Sequence, residues 1–145
     1  MFRGNSPAKV DEKGRLKIPA AFLGDLRESG AEFYVTSENG DRVLLYPMKA
    51  WNEIEEKIAR LPSQNPAKRK YLERTSYFGA VATVDKQGRV LIHPLLREAA
   101  LMKGEVDVLG SQNHLEVWNH QRFLNHLENS PMTADDATTL SDLGI

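Results

Sequence analysis

Arginine and lysine side chains surround a nine-residue sequence that occurs twice in this chain. Residues 10–18 are VDEKGRLKI and residues 84–92 are VDKQGRVLI. Lysine neutralises phosphate groups without distinguishing bases, whereas one arginine can bond both O6 and N7 of a guanine in the major groove. The residue types in this repeated sequence are therefore suited to nucleic-acid binding.

The first copy brings its cations to one face of a predicted strand. Arg15 and Lys17 are two residues apart and project from the same face, with Lys13 beside them in the preceding turn. Leu16 and Ile18 alternate with them and are expected to face the core. Because a two-stranded β-ribbon is narrow enough to enter the major groove, the exposed face can contact DNA.

The motif alone leaves a second interpretation open. Asp11 and Asp85 are expected to accept hydrogen bonds from turn amides, which is a structural role. Arg15 and Arg89 either contact DNA or pair with carboxylates as a structural clasp.

Each copy predicts a turn, a short strand and a helix in that order. Aspartate at the first position and glycine at the fourth favour type I turns over residues 11–14 and 85–88. Prolines then favour the first turn of helices over residues 19–29 and 94–103.

Two predicted hairpins complete the two copies. Residues 33–36 and 43–46 flank an Asn-Gly turn, and residues 106–109 and 115–118 flank the turn Gly110-Ser111-Gln112-Asn113. The copies lie 74 residues apart, the separation of Asp11 and Asp85, which indicates an internal duplication. A unit of about 40 residues rarely buries enough apolar surface to fold alone. We therefore expect a pseudo-dimer whose two halves complete one core.

Helices are predicted after each hairpin. Trp51 lies at helical spacing from Ile54 and Ile58. A basic helix follows with Lys68-Arg69-Lys70, for which a solvated face is favoured over contact with DNA. Both tryptophans, Trp51 and Trp118, are expected in core or subunit contacts. The expected division is a first repeat at 1–47, a helical connector at 48–76, a second repeat at 77–121, a C-terminal helix at 122–130 and a disordered tail at 131–145.

The charge is segregated along the chain. The formal net charge is −1, but residues 1–20 carry five Lys or Arg and two carboxylates, a local balance of +3. The chain has no cysteine, which fits a reducing compartment, and its N-terminal sequence resembles neither a signal peptide nor a membrane anchor. We expect a cytoplasmic protein.

No pattern of catalytic or cofactor-binding residues is present. The chain lacks a phosphate-binding loop, a dinucleotide fingerprint and a nucleophile elbow, and its four histidines lack metal-ligand spacing. We expect a protein that is not an enzyme, with no cofactor, no bound metal and no small-molecule substrate.

Taken together, the sequence resembles the MraZ family of bacterial transcriptional regulators, whose two halves belong to the AbrB/SpoVT swapped-hairpin superfamily. The resemblance extends over about residues 1–128. It rests on Met1-Phe2-Arg3-Gly4, Val10-Asp11-Glu12-Lys13-Gly14-Arg15, Ile18-Pro19, Asn65-Pro66, Asp85, Gly88, Arg89 and Pro94.

The resemblance implies an α+β, β-rich fold in which two tandem AbrB-like swapped-hairpin halves form one pseudo-twofold β-barrel with flanking helices. It also implies a nucleoid-associated regulator that binds short repeated boxes in double-stranded DNA, ahead of its own division and cell-wall gene cluster. Family members assemble into rings of several subunits, so a cyclic homo-oligomer is expected.

The arginine of each motif belongs to the DNA-facing surface in the family, which implies this role for Arg15 and Arg89. The full set of candidate DNA-contacting residues is Arg3, Lys9, Lys13, Arg15, Lys17, Lys86 and Arg89. The second copy is less basic, because Gln87, Leu91 and His93 replace Lys13, Lys17 and Pro19.

A protein-interaction module without specific DNA binding is the alternative. The barrel surface and the helices carrying Trp51 and Phe123 would then bind a protein partner, as in antitoxin relatives of the same superfamily. The salt dependence of the binding affinity distinguishes the two functions. Binding to DNA through Lys and Arg contacts weakens steeply as salt is added, whereas binding through an apolar interface does not.

Overall fold

The computed structural model describes the whole chain, Met1–Ile145, as eight strands and six helices. The first half contains β1 (Asn5–Val10), β2 (Arg15–Lys17), α1 (Ala20–Glu28), β3 (Glu32–Thr36), β4 (Val43–Pro47), α2 (Met48–Ala59) and α3 (Pro66–Tyr77). The second half contains β5 (Ala80–Thr83), β6 (Arg89–Leu91), α4 (Pro94–Ala99), β7 (Gly104–Ser111), β8 (His114–Asn119), α5 (His120–Asn129) and α6 (Ala134–Ser141). The two halves therefore share one element order.

All eight strands belong to one antiparallel sheet in the order β5-β3-β4-β8-β7-β1-β2-β6. Four pairings join the halves: β1 with β7, β2 with β6, β3 with β5, and β4 with β8. The outermost strands β5 and β6 approach each other without pairing, so the sheet forms a nearly closed barrel. The prediction of an α+β, β-rich barrel built from two interlocked halves is confirmed.

The barrel interior holds a single cluster of 19 buried apolar side chains. Leu16 and Ile18 are buried in it, as the alternation along the first motif predicts. Val90 and Ile92 occupy the same positions in the second copy and are also buried. The side chains between them are left on the outer face of the barrel.

The connector helices pack on the outside of β3 and β4. Trp51 is buried, with its ring stacked 4.5 Å from the Tyr34 ring and 6.3 Å from the Tyr71 ring. The Tyr34 hydroxyl donates a 3.0 Å hydrogen bond to the Thr75 carbonyl at the end of α3. Trp118 is also buried, so both tryptophans are inaccessible to bases, in agreement with the prediction.

Helix α4 ends earlier than residue 103, where the prediction placed its end. Leu101 adopts a left-handed conformation, with φ +55°. The Met102 amide then donates a 2.9 Å hydrogen bond to the Arg97 carbonyl, a C-terminal capping arrangement that glycine usually provides. The left-handed residue thus ends the helix before Gly104, and the Met102 side chain that follows it is buried in the core.

The tail also differs from its prediction, because residues 134–141 form helix α6 instead of a disordered segment. Thr133 caps the helix: its hydroxyl accepts from the Asp136 amide at 3.1 Å, and the Asp136 carboxylate accepts from the Thr133 amide at 2.9 Å. No residue of α6 is buried, so local capping and not packing defines this helix.

None of the six helices has the length and apolar character needed to cross a lipid bilayer.

Candidate nucleic-acid interface

The first turn, Asp11–Gly14, is built around one carboxylate. The Gly14 amide donates to the Asp11 carbonyl at 2.9 Å, and Gly14 has φ +84°, which favours glycine. Asp11 Oδ1 accepts from the Lys13 and Arg15 amides, each at 2.9 Å. The aspartate therefore fixes where the following strand begins.

The second turn, Asp85–Gly88, repeats this arrangement. The Gly88 amide donates to the Asp85 carbonyl at 3.0 Å, and Asp85 Oδ1 accepts from the Gln87 and Arg89 amides at 2.9 Å each. The structural role expected for both aspartates is thus present in both turns.

These hydrogen bonds affect the acidity of the two aspartates. The backbone amide of Arg15 is the main cause of a lowered pKa of the Asp11 carboxyl, since it stabilises the charged form. The amide of Arg89 likewise lowers the pKa of Asp85. Both carboxylates are therefore anionic acceptors at neutral pH.

Each arginine of the repeated motif also bonds its own turn aspartate. Arg15 Nε donates to Asp11 Oδ2 at 2.7 Å, and Arg89 Nε donates to Asp85 Oδ2 at 3.3 Å. The clasp interpretation is therefore structurally realised in both copies. The bond to Asp11 uses only the Nε group of the Arg15 guanidinium, and no hydrogen bond within the chain engages its two Nη groups.

Arg89 is held more fully than Arg15. Its Nη2 donates to the Gln87 side-chain oxygen, and its Nη1 lies 4.0 Å from Asp11 Oδ2. The side chain of Arg89 is 25% exposed and that of Arg15 is 32% exposed. Arg15 therefore has the more available guanidinium edge.

Strands β2 and β6 bring the two motifs side by side. The register pairs Arg15 with Leu91, Leu16 with Val90, and Lys17 with Arg89. Since Leu16 and Val90 are buried, the other two pairs lie on the opposite side. We call this surface the outer β2–β6 face and define it by Arg15, Lys17, Arg89 and Leu91.

Backbone hydrogen bonds join the turn of each half to the strand end of the other. The Ile18 amide donates to the Gly88 carbonyl and the Ile92 amide donates to the Gly14 carbonyl, both at 2.9 Å. The Lys17 ammonium donates to the Gln87 carbonyl at 3.2 Å. The relative placement of the two turns is therefore rigidly defined by pairs of bonds between halves.

Three further candidates border this face, and one does not. Lys13 and Lys86 are exposed in the first and second turns, and Lys9 is exposed on β1. Lys9 lies opposite Glu105 of β7 in register. Arg3 precedes the opposite end of β1, which at about 3.3 Å per residue is roughly 20 Å from the first turn. The structure does not group Arg3 with the other candidates.

Sequence reasoning missed two arginines that hold the turns. Arg27 of α1 donates to the Asp85 carbonyl at 3.0 Å and to the Lys86 carbonyl at 3.4 Å. Arg97 of α4 lies against Gly14, where a Cβ atom would come within 1.8 Å of its Nη1. The 74-residue spacing could not have found them, because Arg27 and Arg97 are not at equivalent positions of the two copies.

No group of three or more His, Cys, Asp or Glu side chains is arranged to hold a metal ion. Two histidines instead make contacts within the fold. His120 Nδ1 lies 2.7 Å from the buried Asp107 carboxylate, and His93 Nε2 lies 2.6 Å from the Phe78 carbonyl.

Comparison with known proteins gives consistent results along the whole chain. The family described as "MraZ protein, putative antitoxin-like" matches residues 1–74 and 79–143. A protein of Acidobacterium capsulatum named "Transcriptional regulator MraZ" is 47% identical over 146 residues, covering 100% of both chains. Proteins of the same name from Koribacter versatilis and Herpetosiphon aurantiacus are 50% and 36% identical, covering 100% and 98% of this chain and 100% and 95% of their own.

Proposed function

This chain belongs to the MraZ family, and from that membership we propose that it is a sequence-specific DNA-binding transcriptional regulator. It recognises short repeated boxes in double-stranded DNA, in the promoter ahead of its own division and cell-wall gene cluster. It acts in the cytoplasm, associated with the nucleoid, and carries out no catalysis. The name of its relatives, "Transcriptional regulator MraZ", supports the regulatory part of this proposal.

The outer β2–β6 face is the observation that carries the proposal. Three of its four residues are cations, and they project from two paired strands that together have the width of a β-ribbon. Asp11 holds Arg15 by Nε and leaves both Nη groups available, so this guanidinium is oriented before it meets a guanine. Lys17 and the turn residues Lys13 and Lys86 supply phosphate contacts beside it.

The remaining candidates are assigned weaker roles. Lys9 is adjacent in register to a carboxylate, Glu105, which reduces its net attraction for phosphate. Arg89 is engaged by its own turn and serves to position the second turn as well as to contact DNA. Arg3 contacts phosphate away from the two turns.

The decisive experiment measures binding by the fluorescence anisotropy of a labelled fragment from upstream of this protein's own gene, beside a scrambled fragment. We expect Arg15→Ala to lose about 1–3 kcal/mol of discrimination between the two fragments. Arg15→Lys should retain charge but not bidentate bonding, and should lose most of the same preference.

Arg69→Ala is the matched control, since Arg69 is a 68% exposed cation on α3. It should leave the preference unchanged. If folded wild-type protein binds neither fragment at low salt, the DNA-binding function is wrong and the Asp–Arg pairs are structural clasps.

We also propose that several copies assemble into a cyclic homo-oligomer, as the family resemblance implies. Each subunit then contacts one box, and several weak contacts combine into tight binding. The apolar side chains of Leu124 and Leu127 on α5 are exposed in the single chain and are available for subunit contacts.

Avidity of this kind requires that box spacing match subunit spacing. Inserting half a helical turn of DNA between two boxes should therefore weaken binding by at least tenfold, because the second subunit faces the wrong side of the duplex. Inserting a full turn is the control and should restore part of the affinity. Equal binding to the fragment without insertion, the half-turn fragment and the full-turn fragment would show that box spacing does not have to match subunit spacing.

A second candidate function is protein binding without DNA specificity. It is favoured by the antitoxin-like description of the family and by the exposed apolar residues of α5. Binding through such a surface should respond weakly to salt, whereas binding through several Lys and Arg contacts to DNA should weaken steeply.

A further inference from the structure

Leu91 is an exposed apolar side chain within a basic surface. It is 55% exposed and lies on the outer β2–β6 face, directly opposite Arg15 in register. Arg89 precedes it by two residues and projects from the same side of β6. Lys17 is diagonal to it, so three cations surround one leucine.

The two copies of the motif differ at this position. The residue 74 positions before Leu91 is Lys17, a cation suited to a phosphate. Leu91 cannot make that contact, and its exposure means that it contributes little to the core, which is closed behind it by Val90. Its exposed methyl groups are therefore free to contact an apolar group outside the chain, within a face whose other side chains are cations.

Neighbouring side chains of the face are separated by one to two base steps of DNA. Side chains directly opposite on paired strands have Cβ atoms about 4.5–5.5 Å apart, and side chains two apart on one strand are about 6.6 Å apart. Successive bases along one DNA strand are about 3.4 Å apart. Leu91 therefore reaches a base one or two steps from those reached by Arg15 and Arg89.

Thymine is the base that offers an apolar group in the major groove, its C5 methyl. Given the proposed DNA-binding function, on which this inference rests, we propose that Leu91 contacts the C5 methyl of a thymine in the box that Arg15 and Arg89 contact. Thymine close to guanine is then a determinant of specificity, and Leu91 is the residue that recognises it.

A protein partner is the competing occupant of this region. Leu91 also borders a shallow depression between β5 and β6 together with Val81, which is 55% exposed, and His93. A protein segment seated in that depression would cover Leu91 and Val81 together. The three cations around Leu91 favour the polyanionic duplex instead, and Val81→Ala distinguishes the two occupants.

The test compares two forms of the fragment from upstream of this protein's own gene, one amplified with thymidine and one with deoxyuridine in its place. Deoxyuridine keeps base pairing and removes only the methyl group. Wild-type protein should bind the deoxyuridine fragment about fourfold more weakly for each contacted methyl, the effect of one buried carbon group of about 0.8 kcal/mol. Leu91→Ala should bind the thymidine fragment more weakly and should no longer distinguish the two forms.

Two further variants complete the experiment. Leu91→Lys restores the residue of the first copy; it should also lose the thymidine preference, while the salt dependence of its binding becomes steeper by about one phosphate contact. Val81→Ala, the matched control, should retain the wild-type preference for thymidine. Thermal unfolding of each variant confirms that it is folded.

The inference on Leu91 is overturned if wild-type protein prefers its own fragment to a scrambled one but binds the thymidine and deoxyuridine forms equally. It is also overturned if Leu91→Ala and Val81→Ala change the oligomeric mass in parallel while both retain the thymidine preference. If wild-type protein has no preference for its own fragment in either form, the proposed function itself fails and the inference fails with it.

Discussion

At the scale of single residues, one carboxylate organises each turn. Asp11 accepts from two backbone amides and from Arg15 Nε, so it sets both the turn and the direction of the arginine. The clasp and the DNA-contact interpretations of Arg15 are therefore compatible. A guanidinium held by one edge loses less conformational entropy when its other edge binds a base.

The aspartates make the turns sensitive to acid. In the folded protein the pKa of Asp11 and of Asp85 lies below the usual value of 3.8, because turn amides stabilise the charged form. This stabilisation is fully present above the unfolded-state value and is lost as the pH falls through the folded-state pKa. Replacing both residues, Asp11→Asn with Asp85→Asn, should reduce the loss of stability in acid.

The measurement is the urea midpoint of unfolding, followed by circular dichroism from about pH 7 to about pH 3. Asp142→Asn is the control, since Asp142 is exposed at the C-terminal end of α6 and belongs to neither turn. Equal acid dependence in the double variant and the wild type would show that these carboxylates do not contribute.

At the scale of elements, each helix that follows a motif holds the turn of the other half. Helix α1 contacts the second turn through Arg27 and through Leu23, which lies next to Gly88. Helix α4 contacts the first turn through Arg97, next to Gly14. The shape of the outer β2–β6 face therefore depends on helices that do not belong to it.

Two glycines on neighbouring elements should respond in opposite ways to alanine. Gly14→Ala should destabilise the protein by more than about 1 kcal/mol, because its φ of +84° is left-handed and the new Cβ would collide with Arg97. Gly24 lies in helix α1 with open space where a Cβ would be, so Gly24→Ala should stabilise the protein by about 0.5–1 kcal/mol. Denaturant unfolding of the two variants measures both effects, and a stabilising Gly14→Ala would contradict the first.

At the scale of the whole molecule, the barrel exists only when both halves are present. Every strand of the first half pairs with a strand of the second, and these pairings are four of the seven that hold the eight-stranded sheet together. The charge is also separated at this scale, since residues 123–145 contain four carboxylates and no Lys or Arg. This acidic segment begins within α5 and is distinct in sequence from the basic turns.

A separated half should not form a folded monomer. The fragment 1–77 keeps its β1–β2 and β3–β4 pairings, but each of its four strands loses its partner in the second half, so the fragment should be unfolded or should pair with a second copy of itself. Far-UV circular dichroism and light scattering after gel filtration measure these states, and mixing with the fragment 78–145 should recover the signal of the whole chain. A folded monomeric fragment would contradict the interlocked arrangement.

The sequence by itself predicted the features that depend on local order. The two turns, the burial of Leu16 and Ile18, and the duplicated element order follow from residue types and short periods, which act within a few residues. The cap of α6 is formed by Thr133 and Asp136, three residues apart, whereas the prediction of a disordered tail rested on its polar composition alone.

Only the tertiary structure decided which residues meet across the two halves. The register that sets Leu91 opposite Arg15, and the contacts of Arg27 and Arg97 with the turns, join segments that are far apart in sequence. At the early end of α4, Met102 likewise enters a core to which both halves contribute. Local patterns carry no information on such pairings, because their free energy arises only when both halves have packed together.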